Sequence, residues 1–179
     1  MTPFFKEKTF DKLEKNEHLA FCQKYAKEFE PKKSKGLQFI GNIGMGKTTL
    51  LAAICNELMQ KQYTCLFITM SSLLDKFAKH SFDNAGDITM LLKWLTMYDF
   101  VVIDDFGRET YTDKRVELAF RVVDTLMNEK VTVSISANQE MIEKIESIKG
   151  MNATLDRLRE MCPHKIFFKN NSRRGIDSP

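Results

Sequence analysis

The sequence predicts an α/β fold, a parallel β-sheet with helices on both faces. Short apolar stretches that suit buried strands alternate along the chain with amphipathic stretches of helical periodicity. Such alternation is typical of a parallel sheet. A glycine-rich turn also joins the first of these strands to the helix after it. The length of 179 residues fits one such domain with a sizeable core.

The predicted elements follow one another in a regular order. Strands are predicted at 37–40, 63–69, 100–103, 131–137 and 165–168. Helices are predicted at 11–29, 50–58, 71–79, 88–95, 113–128, 139–145 and 152–160. Residues 31–36 break the first helix before the first strand, and Ser72 with Asp75 resembles a capping box for the helix that starts near residue 71.

Residues 41–48 read Gly-Asn-Ile-Gly-Met-Gly-Lys-Thr and match the phosphate-binding pattern Gly-x-x-x-x-Gly-Lys-Ser/Thr between a strand and a helix. In such a loop, backbone N–H groups and the helix N-terminus hold phosphates. Lys47 is then expected to reach the β- and γ-phosphate oxygens, and the Thr48 hydroxyl to ligate Mg²⁺. The predicted nucleotide-binding residues are Asn42, Ile43, Gly44, Met45, Gly46, Lys47, Thr48 and Thr49. The chain is therefore predicted to bind ATP or GTP.

Composition limits the setting in which this nucleotide would be used. The sequence has no apolar run long enough to cross a bilayer, and its start lacks a signal-peptide core. Its 4 cysteines are scattered without metal-binding spacing. We therefore expect a cytoplasmic protein with free thiols and no membrane partner. The net charge of +3 is too small to indicate nucleic-acid binding by itself.

An acidic pair ends the third predicted strand, Asp99-Phe-Val-Val-Ile-Asp104-Asp105, in the manner of a Walker B motif. Asp104 is predicted to hold Mg²⁺, usually through water, because a small hard cation favours oxygen ligands. Asp105 is predicted to orient and activate the attacking water. Neighbouring side chains on an extended segment point different ways, so the two acids can do separate jobs. The alternative is that the pair merely ends a strand.

Polar and basic residues complete the candidate site. Asn138 follows the strand 131–137, where an amide could bond both the γ-phosphate and the attacking water, although Asn is also a common turn residue. Arg157 and Arg174 lie in a basic C-terminal region. Arginine is suited to clamping phosphoryl groups and can be supplied by a neighbouring subunit. By itself, a charged stretch such as 156–159 is more often an exposed helix face.

Together these motifs resemble the DnaC/DnaI/IstB group of AAA+ ATPases, which comprises bacterial replicative helicase loaders and ATPase helpers of certain transposases. Thr9 to Leu13 resembles the opening motif of the group, and Asp104-Asp105-Phe106-Gly107 its Walker B motif. Asn138 falls on the sensor-1 position. Asp156-Arg157-Leu158 is similar to the arginine-finger motif. Residues 168–174 are similar to the closing motif, which puts Arg174 on the sensor-2 position.

The resemblance implies a P-loop fold of AAA+ type with a five-stranded parallel sheet of order 5-1-4-3-2 and a lid domain that is absent or minimal. It implies that residues 1–35 form an N-terminal helix and linker and 36–179 the ATPase domain. It further implies ATP with Mg²⁺, self-assembly in which Arg157 reaches the neighbour's γ-phosphate, and contact with single-stranded DNA. Residues 71–94 then correspond to an extra helical element facing DNA, with Lys76, Lys79 and Lys93 as candidate phosphate contacts. An ordinary solvated helix fits these lysines equally well.

The predicted function is that of an ATP-hydrolysing loader of a replicative DNA helicase. The sequence departs from the group in two ways. The stretch before the first strand is short, which fits an excised domain or a shorter phage or mobile-element relative. Leu126 lies where relatives often have arginine. The alternatives are an IstB-like transposase helper that binds duplex DNA, a small nucleotide or metabolite kinase, and a nucleotide-gated switch that barely hydrolyses.

Overall fold

The computed structural model of the chain describes residues 5, 7–81 and 85–168, without the side chains of 80, 81 and 85–87. The strands are β1 (Leu37–Gly41), β2 (Cys65–Thr69), β3 (Phe100–Phe106), β4 (Thr132–Ala137) and β5 (His164–Phe168). The α-helices are α1 (Glu17–Glu28), α2 (Lys47–Gln60), α3 (Met70–Ser81), α4 (Ala85–Leu95), α5 (Asp113–Asn128), α6 (Gln139–Glu146) and α7 (Asn152–Met161). A 3-10 turn, Phe10–Lys12, precedes them.

The strands form one parallel sheet of order β2-β3-β4-β1-β5, which confirms the predicted order read from its other edge. In this sheet Phe39 of β1 lies opposite Ser136 of β4 on one side and Ile166 of β5 on the other. The carboxyl ends of parallel strands meet at one edge, where ligands bind in open α/β sheets. The loop after β1, the acids that end β3 and Asn138 after β4 therefore come to the same edge.

Helices cover both faces of the sheet, as predicted. On one face, α1 and α2 bury Cys22, Ala26 and Leu51 against Phe39 and Phe100 of the strands. On the other face, a larger cluster joins α3 to α7 with β3 and β4; its strand residues include Val101, Ile103, Val133 and Ile135. Because both faces are covered, the central strands β1, β3 and β4 are buried almost throughout.

The N-terminal region differs from the single predicted helix over 11–29. The 3-10 turn ends at Lys12, and α1 begins only at Glu17. The reason is local capping, since the Asn16 side chain accepts a hydrogen bond of 2.8 Å from the Leu19 N–H. The predicted boundary at residue 35 falls in the turn between α1 and β1.

The predicted capping box at Ser72 and Asp75 is wrong. Helix α3 begins at Met70, directly after β2, and Thr69 Oγ1 accepts a hydrogen bond of 3.2 Å from the Ser72 N–H. Asp75 instead pairs with Arg115 of α5. Strand β2 thus passes into the helix without the loop that a separate N-cap requires. Among the helices of the described residues, none combines the length and apolar character that a membrane span needs.

Candidate nucleotide-binding site

The loop after β1 opens onto a cavity of about 470 Å³ at the carboxyl edge of the sheet. Its lining residues are Leu13, Glu14, Asn16, Ile43, Gly44, Met45, Gly46, Lys47, Thr48, Thr49, Leu50, Asp105, Arg108 and Asn138. Gly44 and Gly46 have φ angles of 82° and 88°, a left-handed conformation that glycine adopts readily. This backbone leads directly into α2, whose first N–H groups have no partner within the helix and form a natural anion site.

Lys47 lies beneath this loop and is only 5% exposed. Its Nζ donates to the carbonyl oxygens of Gly41 at 2.7 Å and Asn42 at 2.8 Å. It also donates to Oδ1 of Asn138 at 3.3 Å, so the ammonium group links the loop to the end of β4. Asn42 contributes its carbonyl oxygen here and is not among the residues that line the cavity.

Asp104 lies below the cavity beside Thr48 and is 4% exposed. The Thr48 hydroxyl donates to the Asp104 carboxylate at 3.1 Å, and the Ser136 hydroxyl donates to it from β4. Burial raises the pKa of Asp104, and the Ser136 and Thr48 hydrogen bonds oppose this rise. A buried carboxylate next to a hydroxyl oxygen suits a hard cation, which would offset the cost of the buried negative charge. These residues therefore fit a Mg²⁺ site.

The end of β3 is irregular at Asp105. The pairing of β3 with β4 shifts between Ile103 and Phe106, and Asp105 has a φ of 53°. Left-handed backbone is uncommon for a residue other than glycine and is often found at functional sites. The Asp105 N–H donates to Ser136 Oγ at 3.0 Å, which fixes the turn. The half-exposed carboxylate faces the cavity, where Arg108 pairs with it at 2.9 Å.

Some residues of the cavity were missed by sequence reasoning. Arg108 is one, although a basic residue directly after Asp-Asp-Phe-Gly was a usable signal. Ser136 does not line the cavity but donates to Asp104, and it was missed as well; its signal was a hydroxyl in a strand that is otherwise predicted to be buried. Leu13 was noted only as the end of the motif that starts at Thr9, and Glu14 and Asn16 carried no signal, because the approach of these residues to the loop depends on tertiary packing.

Arg157 lies apart from this cavity. Its Nε donates to Asp124 of α5 at 2.8 Å, and its guanidinium lies over the Phe120 ring, 4.4 Å from the centroid. These contacts hold the side chain about one-third exposed against α5. Among the described residues the cavity thus gathers Asp105 and Asn138 but not Arg157. Arg174 lies outside the described residues.

Known proteins of similar sequence point to one family. The family model described as "IstB-like ATP binding protein" matches residues 23–178. The replicative helicase loader DnaC of Escherichia coli K12 is 30% identical over 142 residues, 79% of this chain and 56% of DnaC. The loader DnaI of Bacillus subtilis is 30% identical over 112 residues, 61% of this chain and 35% of DnaI. The chain thus spans about half the length of the DnaC relative, or less for DnaI.

Solved structures agree on the fold. A crystal structure of the DnaC helicase loader has a TM-score of 0.78 and 24% identity, covering 94% of this chain and 100% of that chain. The replication initiator DnaA bound to AMPPCP and single-stranded DNA has a TM-score of 0.74 and 14% identity, covering 95% and 51%. These likenesses confirm the AAA+ P-loop fold. The match to the family model and the similarity to DnaC show that the chain belongs to the IstB-like ATP-binding proteins, within the DnaC/DnaI/IstB group of AAA+ ATPases.

Proposed function

We propose that the protein is an ATP-hydrolysing helicase-loader ATPase that acts in DNA replication. The observation that carries the proposal is the grouping, around one cavity, of Lys47, the Thr48–Asp104 pair and the half-exposed Asp105. This set provides a phosphate ligand, a cation site and a separate carboxylate for water. The loader role is supported by DnaC and DnaI, both of which are replicative helicase loaders.

The proposed mechanism assigns one task to each side chain. Lys47 leaves its carbonyl partners to bind the β- and γ-phosphate oxygens. Thr48 and Asp104 hold Mg²⁺, which when bound neutralises charge that develops on the phosphates. Asn138 donates from its amide to the γ-phosphate and accepts from the attacking water. The oxygen of that water attacks the γ-phosphorus and ADP leaves. Asp105 takes a proton from the water during this attack.

A second subunit supplies the remaining positive charge in this proposal. Arg157 is held on the α5 surface by Asp124 and Phe120, outside the cavity of its own chain. An arginine presented on an outer face can reach the γ-phosphate of a neighbour and stabilise the charge of the transition state. Arg174 is proposed to contact the phosphates from its own chain, as the motif resemblance implies.

Single-stranded DNA is the proposed nucleic-acid partner. The exposed side chains of Lys76 and Lys79 lie on α3, and the exposed Lys93 on α4. Lys76 also lies over the Trp94 ring, 5.5 Å from its centroid. Lysines beside an aromatic ring suit a flexible, charged strand of bases. The DnaA structure bound to single-stranded DNA supports this choice.

A transposase-helper ATPase is the second candidate, favoured by the family description as IstB-like. The two functions differ in DNA form and in protein partner. A helper should prefer duplex DNA and bind a transposase, whereas a loader should prefer single strands and bind a replicative helicase. A pull-down of a replicative helicase by the full chain therefore separates them.

The direct test is ATPase activity at increasing protein concentration, with and without single-stranded or duplex DNA. We expect the rate per subunit to rise with protein concentration, since the arginine comes from a neighbour.

Lys47→Ala should abolish nucleotide binding and hydrolysis. Lys61→Ala is the matched control, because that amine also donates to two backbone carbonyl oxygens, those of Ala26 at 2.7 Å and Lys27 at 3.1 Å. Phosphate release by the wild-type protein no faster than by Lys47→Ala would refute the ATPase proposal.

A further inference from the structure

An ion pair between Asp105 and Arg108 lies inside the nucleotide cavity. The guanidinium NH1 of Arg108 donates to Asp105 Oδ2 at 2.9 Å, and both side chains line the cavity with Lys47, Thr48 and Asn138. Asp105 is the carboxylate proposed above to activate water. A guanidinium bonded to that oxygen occupies one of the lone pairs that could accept the proton of the water. Opening the pair frees this lone pair for the water.

The ion pair is of a kind that can open readily. The Arg108 side chain is 50% exposed and that of Asp105 37% exposed. Ion pairs with such access to water contribute little to stability and are easily exchanged. A triphosphate offers Arg108 a stronger partner, because its terminal phosphate carries more negative charge than a carboxylate.

We propose that Arg108 senses the terminal phosphate of the bound nucleotide: it pairs with Asp105 until a triphosphate enters, then moves to the γ-phosphate and frees Asp105 for the attacking water. The inference rests on the role proposed for Asp105. The γ-phosphate is the partner because the water that Asp105 activates must lie against it. Arg108 is one hydrogen bond from Asp105, so the same phosphate is within reach of its flexible side chain. A diphosphate lacks this group and leaves the pair closed.

The test measures binding and does not depend on turnover. Fluorescent (mant) forms of the non-hydrolysable triphosphate AMPPNP and of ADP are titrated, with Mg²⁺, into the wild type and its variants. Arg108→Gln should weaken AMPPNP binding about tenfold, as expected for one lost charge-assisted hydrogen bond. ADP lacks the γ-phosphate that Arg108 is proposed to bind, so the affinity for ADP should change less than about twofold. Arg108→Lys should recover part of the AMPPNP affinity, because it restores the charge without the planar fork.

Arg159→Gln is the matched control. Arg159 also pairs with an aspartate three residues earlier, Asp156, and is 46% exposed, but it is not among the cavity residues. The Arg159→Gln variant should bind AMPPNP and ADP as tightly as the wild type does. Arg108→Gln that binds AMPPNP as tightly as the wild type, or that weakens ADP equally, would overturn the inference. A wild type that binds neither nucleotide would instead refute the proposed function, so the two failures are distinguishable.

The exchange of partners has its own readout. Asp105→Asn should strengthen AMPPNP binding, because it removes the competitor for Arg108 and also one negative charge. In the Arg108→Gln background only the charge effect remains, so the gain should be several-fold smaller. Equal gains in both backgrounds would show that Arg108 does not move from Asp105 to the phosphate.

Discussion

Asp104 carries a free-energy cost that its place in the sheet imposes. The carboxylate is 4% exposed, and burial raises its pKa above the ordinary range. Because burial disfavours the charged form, ionised Asp104 makes folding less favourable at a pH above its raised folded pKa. As pH falls through the folded pKa, the group takes up a proton, and the cost is gone once the pH lies below the unfolded pKa. This free-energy cost is therefore present in the pH range in which the charged carboxylate can bind a cation.

We therefore expect Asp104→Asn to stabilise the protein at pH 7 in the absence of nucleotide and divalent cation. The unfolding temperature should rise by about 2–4 °C for each kcal/mol of relieved cost. This gain should shrink as pH falls toward the ordinary aspartate pKa, and the stabilisation by ATP with Mg²⁺ should be lost. Thermal unfolding of both proteins over a pH series measures the difference.

Asp156→Asn serves as the control for this prediction. Asp156 is an exposed helix residue paired with Arg159, so its loss should change the unfolding temperature little at any pH. If Asp104→Asn is less stable than the wild type at pH 7, the carboxylate is needed for the Ser136 and Thr48 hydrogen bonds more than it suffers from burial.

Some residues of the site could be predicted from the sequence and others could not, for a physical reason. Lys47 and Thr48 were predicted because a loop motif fixes their spacing, and Asp104 because a strand ended at an acid. The parallel sheet brings Asn138 to the same edge, as it must. Arg108 and Ser136 were missed because their contacts depend on the left-handed backbone of Asp105 and on the shifted pairing of β3 with β4. No periodicity in the sequence reports either feature.

At the scale of elements, the turn before β1 depends on a close approach of two backbones. A Cβ atom at Gly36 would lie 1.5 Å from the Val133 carbonyl oxygen of β4. The Gly36 N–H donates to the Met161 carbonyl at 2.8 Å, which ties the same turn to the end of α7. The glycine was predicted only as a helix breaker, but its place is set by the packing of β1 beside β4.

We expect Gly36→Ala to lower the free energy of unfolding by at least about 2 kcal/mol, because neither backbone can move without breaking sheet hydrogen bonds. The urea midpoint measures the loss. Lys35→Ala, an exposed neighbour on the same turn, should have a midpoint close to that of the wild type. A Gly36→Ala midpoint equal to that of Lys35→Ala would mean that the turn tolerates a side chain.

Element boundaries were less predictable than element order. The strands and their parallel arrangement followed from apolar runs that alternate with helical periods. The start of α3 did not, because Thr69 of the preceding strand takes the capping role that Ser72 was expected to have. Helix α1 began later than predicted because Asn16 caps it. Both boundaries depend on one side-chain hydrogen bond, which a hydrophobic pattern does not encode.

At the scale of the whole molecule, the proposed catalytic groups lie in two places. Lys47 and Asp105 line the cavity, with Asp104 bonded to Thr48 beside them, whereas Arg157 is held against α5 by Asp124. If the second place serves the cavity of a neighbour, each active site is shared by two copies of the chain. Two variants with different defects should then repair each other, because each supplies what the other lacks.

Lys47→Ala keeps Arg157 but should not bind ATP, and Arg157→Ala binds ATP but lacks the arginine for its neighbour. Each alone should hydrolyse ATP slowly. In an equal mixture, half of the subunits bind ATP and half of their neighbours carry Arg157, so we expect up to about a quarter of the wild-type rate for random assembly. Phosphate release at a protein concentration where the wild type is stimulated measures this recovery.

The control mixture pairs Arg157→Ala with the double variant Lys47→Ala/Arg157→Ala. It has the same number of nucleotide-binding subunits as the first mixture but no Arg157, so its rate per nucleotide-binding subunit should equal that of Arg157→Ala alone. Recovery in this control would show that mixing acts through assembly and not through the arginine. A first mixture no faster than the control would leave Arg157 without a role in the neighbouring site, and its contacts with Asp124 and Phe120 would then serve only the packing of α7 on α5.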